Sequence, residues 1–181
     1  MTLIILGLAL WWGAHLFKRV APDARARMGD AGKGLATVLL LLSIVLMVIG
    51  YRGVDQIDVW YPPAFMVHLN NLLMLVAFYF YAASGLRTAI ARKVRHPQLT
   101  GFKTWAVAHL LVNGDLASII LFGGLLAWAV VEVIVINRAQ PEWVPPQPAP
   151  ASNEIKAIVG TVVIVGVVMA IHNWLGVQPW G

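Results

Sequence analysis

The chain contains no cysteine. That absence excludes disulfides, iron–sulfur clusters, thiolate-ligated haem and covalently attached c-type haem. Any metal or haem would have to be held by histidine, carboxylate or weaker ligands. Charge is scarce as well: 12% of the 181 residues are charged and 60% are hydrophobic, whereas a soluble domain carries roughly 25% charged residues. The fold class expected is therefore all-α, a polytopic transmembrane helix bundle of about six spans. One such bundle uses the whole length, so residues 1–181 read as a single transmembrane domain. Neither a GxSxG, a P-loop, an HExxH nor a GxGxxG occurs. Charges inside the apolar runs are too few for an evident ion transporter.

The formal net charge of +5 invites a nucleic-acid reading, which the positions of the basic residues argue against. Ten of the thirteen Lys and Arg residues fall in two short segments, Lys18 to Lys33 and Arg87 to Lys103. That clustering is the mark of cytoplasmic loops between spans. The partner expected is the lipid bilayer, and nucleic acid is not expected.

Taken in order, Thr2 to Phe17 reads as a first helix. Lys18 and Arg19 follow its apolar run instead of preceding it, so a retained span is expected and not a signal peptide. Gly34 to Gly50 is a second span, and Ala64 to Ser84 a third, entered after the Pro62-Pro63 break. From Thr104 to Ile136 the sequence is apolar for longer than one ordinary span. Asn113-Gly114-Asp115 is a turn signal inside it. The reading is a short helix from about Phe102 to Val112, a tight helical hairpin, and a longer helix from Leu116 to Asn137. Five prolines between Arg138 and Asn153 describe an extended connector. Glu154 to Trp174 is the last span, with Trp174 and Trp180 placed near an interface. Both termini are expected on the outer, periplasmic side of a bacterial inner membrane.

The densest polar stretch is RHPQLTGFKTWAVAHLLVNGD, Arg95 to Asp115. A polar group left unpaired in hydrocarbon costs several kcal/mol, so these side chains must meet protein, water or a ligand. His15 lies three residues before the basic boundary at Lys18, and His109 six residues after Lys103. At ~1.5 Å per residue their depths differ by about 5 Å. They read either as two axial ligands of one haem or as imidazoles that each bond a neighbouring group. Trp11 and Trp105 each stand four residues before one of these histidines, on its face of the helix. His68 and His172 form a second depth-matched pair, with Asn71 and Asn173 beside them. They are either ligand-binding or in polar contact between helices. Arg95 and His96 can meet an anionic head group, or pair with Asp115 if the hairpin is re-entrant. Asn113 and Asp115 are further candidates, with Asp115 also suited to cap the following helix. Glu132 either snorkels or pairs with a basic residue.

RHPxxxG followed by AHLxxNGDxAS, with the early histidine-bearing helix and a closing helix that ends near His172, resembles the NnrU family over essentially the whole chain. That resemblance implies a membrane protein linked to nitrite and nitric oxide metabolism in denitrifying bacteria. The family includes zeta-carotene isomerase, a haem-b membrane enzyme that turns a cis double bond to trans. By motif, its haem-ligating histidines fall on His15 and His109. The resemblance thus implies haem b as cofactor, those two residues as ligands of its iron, and, if the chain is an enzyme, a haem-dependent isomerase acting on a hydrophobic small-molecule substrate. The isomerase carries a cysteine three residues before the second histidine, where this chain has Ala106, so ligand exchange through that thiolate is excluded. Two other expectations stand beside it. One is a non-catalytic accessory or assembly factor for a nitric oxide reductase system. The other is a membrane methyltransferase-like enzyme, which shares RHPxxxG but would show a C-terminal acidic cofactor motif absent here.

Overall fold

The structure is a computed structural model that describes residues 1–179. Trp180 lies outside the described residues. Among those described the chain is all-α: α1 (Thr2–Val20), α2 (Pro22–Arg27), α3 (Gly29–Arg52), α4 (Met66–Leu86), a 3-10 turn (Ala89–Arg92), α5 (Pro97–Val112), α6 (Leu116–Ala139) and α7 (Ser152–Trp174). Five of these, α1, α3, α4, α6 and α7, are long and apolar enough to cross a membrane. The chain is a multi-pass helical membrane protein. The remaining long helix, α5, has 16 residues and reaches only about 24 Å.

The helices form two compact units. Met1–Trp60 with Gly114–Val135 is one, and Tyr61–Asn113 with the chain from Ile136 onward is the other. In the first, α1 packs along α3. Lipid tails are as apolar as leucine, so burial alone does not drive helix against helix in a membrane, and close backbone contact takes its place. Gly7 provides it: a Cβ there would stand 2.6 Å from Met47 Cγ and 2.8 Å from the Ser43 carbonyl oxygen. Trp12 Nε1–H joins α1 to α6 by donating to the Gly124 carbonyl at 3.1 Å.

The Asn113-Gly114-Asp115 turn separates α5 from α6, as its sequence predicts. Its backbone groups are satisfied by the loop after α3. Val59 N–H donates to the Gly114 carbonyl at 2.9 Å, and Leu116 N–H donates to the Ile57 carbonyl at 2.8 Å. Asp115 caps α6, its Oδ1 accepting Ser118 N–H at 2.9 Å and its Oδ2 accepting the Ser118 hydroxyl at 2.6 Å. The Ser118 oxygen lies 2.8 Å from the Tyr51 hydroxyl, and with its own proton given to Asp115 it accepts from that tyrosine.

In the second unit α4 packs against both α5 and α7. The glycine of RHPxxxG explains itself here. A Cβ on Gly101 would lie 2.6 Å from the Ala77 carbonyl oxygen and 3.1 Å from Phe80 Cβ, so only glycine lets α5 lie this close to α4. Two boundaries differ from the sequence reading. The segment expected as basic loop up to Lys103 is helical from Pro97, which occupies the first turn of α5, where a missing N–H leaves nothing unsatisfied. The Lys18–Lys33 loop contains α2, also opened by a proline, Pro22.

Replacing Gly101 by valine forces α4 and α5 apart. The thermal midpoint of the detergent-solubilised protein should fall, corresponding to about 1–3 kcal/mol of overpacking. Gly160→Ala, where a Cβ meets nothing within 4 Å, should leave the midpoint unchanged.

Candidate functional site

In the first unit Trp11, His15 and Arg19 recur every fourth residue along α1, and Trp128 and Glu132 do the same on α6; such rows share a helix face. The rows meet. The His15 ring lies 4.3 Å from Trp11 and 4.4 Å from Trp128, measured between centroids. The two indoles pack edge to face at 5.2 Å. Below them Glu132, 6% exposed, has an oxygen 3.9 Å from Arg19 Nε. The acid expected to snorkel or pair has its basic partner in this arginine. His15 Nδ1 lies 3.0 Å from the Trp11 carbonyl oxygen. A carbonyl can only accept, so Nδ1 bears the proton, and Nε2 of the neutral ring keeps the lone pair.

In the second unit α5 repeats this device. His109 Nδ1 lies 3.0 Å from the Trp105 carbonyl oxygen, and the two rings are 4.9 Å apart. On α7, His172 Nδ1 lies 2.8 Å from the Val168 carbonyl oxygen. In all three helices the backbone fixes one tautomer and leaves Nε2 as the nitrogen able to bind a metal or accept a proton.

His109 and His172 line a common cavity of about 300 Å³. Its other walls include Asn70, Asn71, Met74 and Phe78 from α4, Asn113 at the end of α5, and Val165 and Met169 from α7. Asn71 Nδ2–H donates to the Pro179 carbonyl at 3.0 Å, which ties the C-terminal segment across one side. Asn113 Nδ2–H donates to the His109 carbonyl at 2.8 Å, closing the last turn of α5.

The remaining sequence candidates are distributed elsewhere. His68 is exposed on α4 and is not among the residues lining the cavity that His172 helps form. His96 Nε2 lies 2.8 Å from Asn137 Oδ1, and the Arg95 guanidinium donates to the Gln140 and Pro141 carbonyls. Both therefore fasten the C-terminal end of α6 and the proline-rich connector. Arg92 extends that strap by donating to the Pro146 carbonyl at 3.1 Å. Three participants escaped the sequence reading: Trp128, Asn70, and Arg19 as partner of Glu132. The i, i+4 rows on α1 and α6 are the signal that could have found the first and last.

A family model described as NnrU protein matches residues 3–179. No curated protein and no solved structure matches the chain.

The Arg19–Glu132 pair sets a clear expectation. Arg19→Ala leaves a buried carboxylate uncompensated and should destabilise by about 1–3 kcal/mol, less than a fully enclosed pair because Arg19 is partly exposed. Adding Glu132→Leu should restore most of the loss. Chemical or thermal unfolding of the three proteins checks the order.

Proposed function

The chain belongs to the NnrU family, and on that premise we propose that it is an inner-membrane haem-b protein serving nitrite and nitric oxide metabolism. Its termini face the periplasm in this reading, and His15 and His109 each offer an imidazole nitrogen to the iron. One observation carries it: the two W-x3-H segments have the same local geometry. In each, Nδ1–H is held by the tryptophan carbonyl four residues earlier, 3.0 Å away in both, and the imidazole lies against that tryptophan's indole.

The donor chemistry fits the group. Neutral imidazole is a normal axial ligand for haem iron. A hydrogen bond at the far ring nitrogen orients such a ligand and raises its basicity. Tryptophan supplies flat apolar wall without adding a competing ligand. When bound, haem would supply a redox-active, Lewis-acidic iron. The chain's own part is to hold the two rings in one tautomer and to surround them with aromatic and aliphatic groups.

Ala106 bears on what that haem would do. It is wholly buried in α5, at the place where the carotene isomerase of this family has a cysteine. Without a thiolate to exchange for the histidine, a polyene isomerase working by that switch is disfavoured. The nitrogen-oxide role is the reading retained.

The test is optical. The protein, expressed with haem supply and purified in detergent, should show a Soret band that shifts on addition of dithionite. His15→Ala and His109→Ala should each alter the spectrum, while His68→Ala should not. A preparation without a Soret band would contradict the proposal.

A further inference from the structure

The first unit carries a groove apart from the histidine sites, between α1 and α3, with a volume of about 320 Å³. Ala9, Gly13 and Phe17 line it from α1, Gly32 and Leu39 from α3, and Met28 closes it at the turn before α3. It is open because its walls are small: a Cβ on Gly13 would meet nothing within 4 Å. Ala9, Gly13 and Phe17 are exposed, so the groove opens to the surroundings of the helices, which in a membrane are lipid. From Phe17 to Ala9 it runs about 12 Å along α1, most of one leaflet of a ~30 Å hydrocarbon core.

Positive charge gathers at one end. A Cβ on Gly32 would stand 2.6 Å from Arg25 Nη1 and 2.9 Å from Arg25 Cζ, so the guanidinium lies against this end of the groove. Arg25 donates to the Gly29 carbonyl at 3.1 Å. Lys18, exposed, directly follows Phe17. Two other cations of this segment have acidic partners, Arg19 in Glu132 and Lys33 in Asp30. Among the described residues no carboxylate forms an ion pair with Lys18 or Arg25.

We infer that this groove binds an anionic phospholipid, with one acyl chain lying between α1 and α3 and the head-group phosphate meeting Arg25 and Lys18. An open groove in a bilayer fills with the lipid chains around it. The chain alone confers no selectivity, because lipid tails are as apolar as the groove wall. The head group does. A zwitterionic lipid brings its own ammonium to balance its phosphate, whereas an anionic one supplies the counter-charge that Arg25 and Lys18 lack. A guanidinium suits that phosphate because two of its N–H groups can bond it side by side. Helix α3 starts beside Arg25 with no side-chain cap, and its first N–H groups add to the positive potential there. The acids of this segment are Asp23, exposed on α2, and Asp30, which Lys33 holds at 2.8 Å. The inference makes no use of haem, nor of the side of the membrane on which this end lies.

Native mass spectrometry tests it, with the delipidated full-length protein titrated with dioleoyl phosphatidylglycerol or with dioleoyl phosphatidylcholine. The two lipids share their chains and differ in net charge. The first phosphatidylglycerol should bind about tenfold or more tighter than the first phosphatidylcholine, each engaged cation contributing about fivefold. In Lys18→Gln/Arg25→Gln that preference should vanish, whereas Arg138→Gln, on an exposed cation of the second unit, should keep it. Gly13→Leu, which puts a side chain into the groove, should lose the tight first site. Equal affinity of the two lipids for the wild type would overturn the inference, a result that needs no variant to fold. A preference kept by the folded double variant would overturn it too. So would tight binding kept by folded Gly13→Leu, which would leave only a general attraction between basic loops and acidic lipid.

Discussion

A polar group within a membrane-spanning helix has little water to turn to, so a hydrogen-bond partner from the chain itself is what stabilises it there. Three hydroxyls return to their own helices: Ser43 to the Leu40 carbonyl, Thr37 to that of Lys33 and Thr104 to that of Thr100. Histidine does the same with one ring nitrogen, at positions 15, 109 and 172. The Asn113-Gly114-Asp115 turn interrupts a long apolar run, and its exposed backbone is closed by the loop at residues 57–60 and by the Asp115 cap. Without those bonds an unwound turn between two helices would strand several N–H and C=O groups.

This constraint also prepares the functional groups. A hydroxyl given to its own helix is finished as a donor. An imidazole is not, because a ring that donates through Nδ1 still has Nε2 as its second polar atom. Satisfying a buried histidine and orienting a ligand are thus one geometric act, repeated at three places. The surroundings then differ. Trp11 and Trp128 enclose His15 in aromatic rings, whereas His172 faces a cavity edged with amides.

Much of the fold is legible in the sequence because hydrocarbon imposes long apolar runs and loops that carry the charge. The hairpin is readable for a similar reason, since Asn-Gly-Asp has little other use inside such a run. The beginning of α5 is hidden by the same logic: Arg95 and Lys103 resemble loop residues, yet Pro97 starts a helix between them. Gly101 reads as part of a motif, and only the 2.6 Å approach to the Ala77 carbonyl reveals its physical purpose. Among the site residues, each W-x3-H spacing is visible in one dimension. The contact of Trp128 with His15 cannot be seen there, because it depends on which face of one helix meets another.

The claim on which the rest turns is that backbone carbonyls fix the tautomer of the membrane histidines. Nitrogen-15 NMR of histidine-labelled protein, assigned by single His replacements, measures it directly. For His15, His109 and His172 the account predicts a proton on Nδ1, with Nε2 as the unprotonated or ligand-bound nitrogen. A proton on Nε2 with Nδ1 bare, at any of the three, would contradict it.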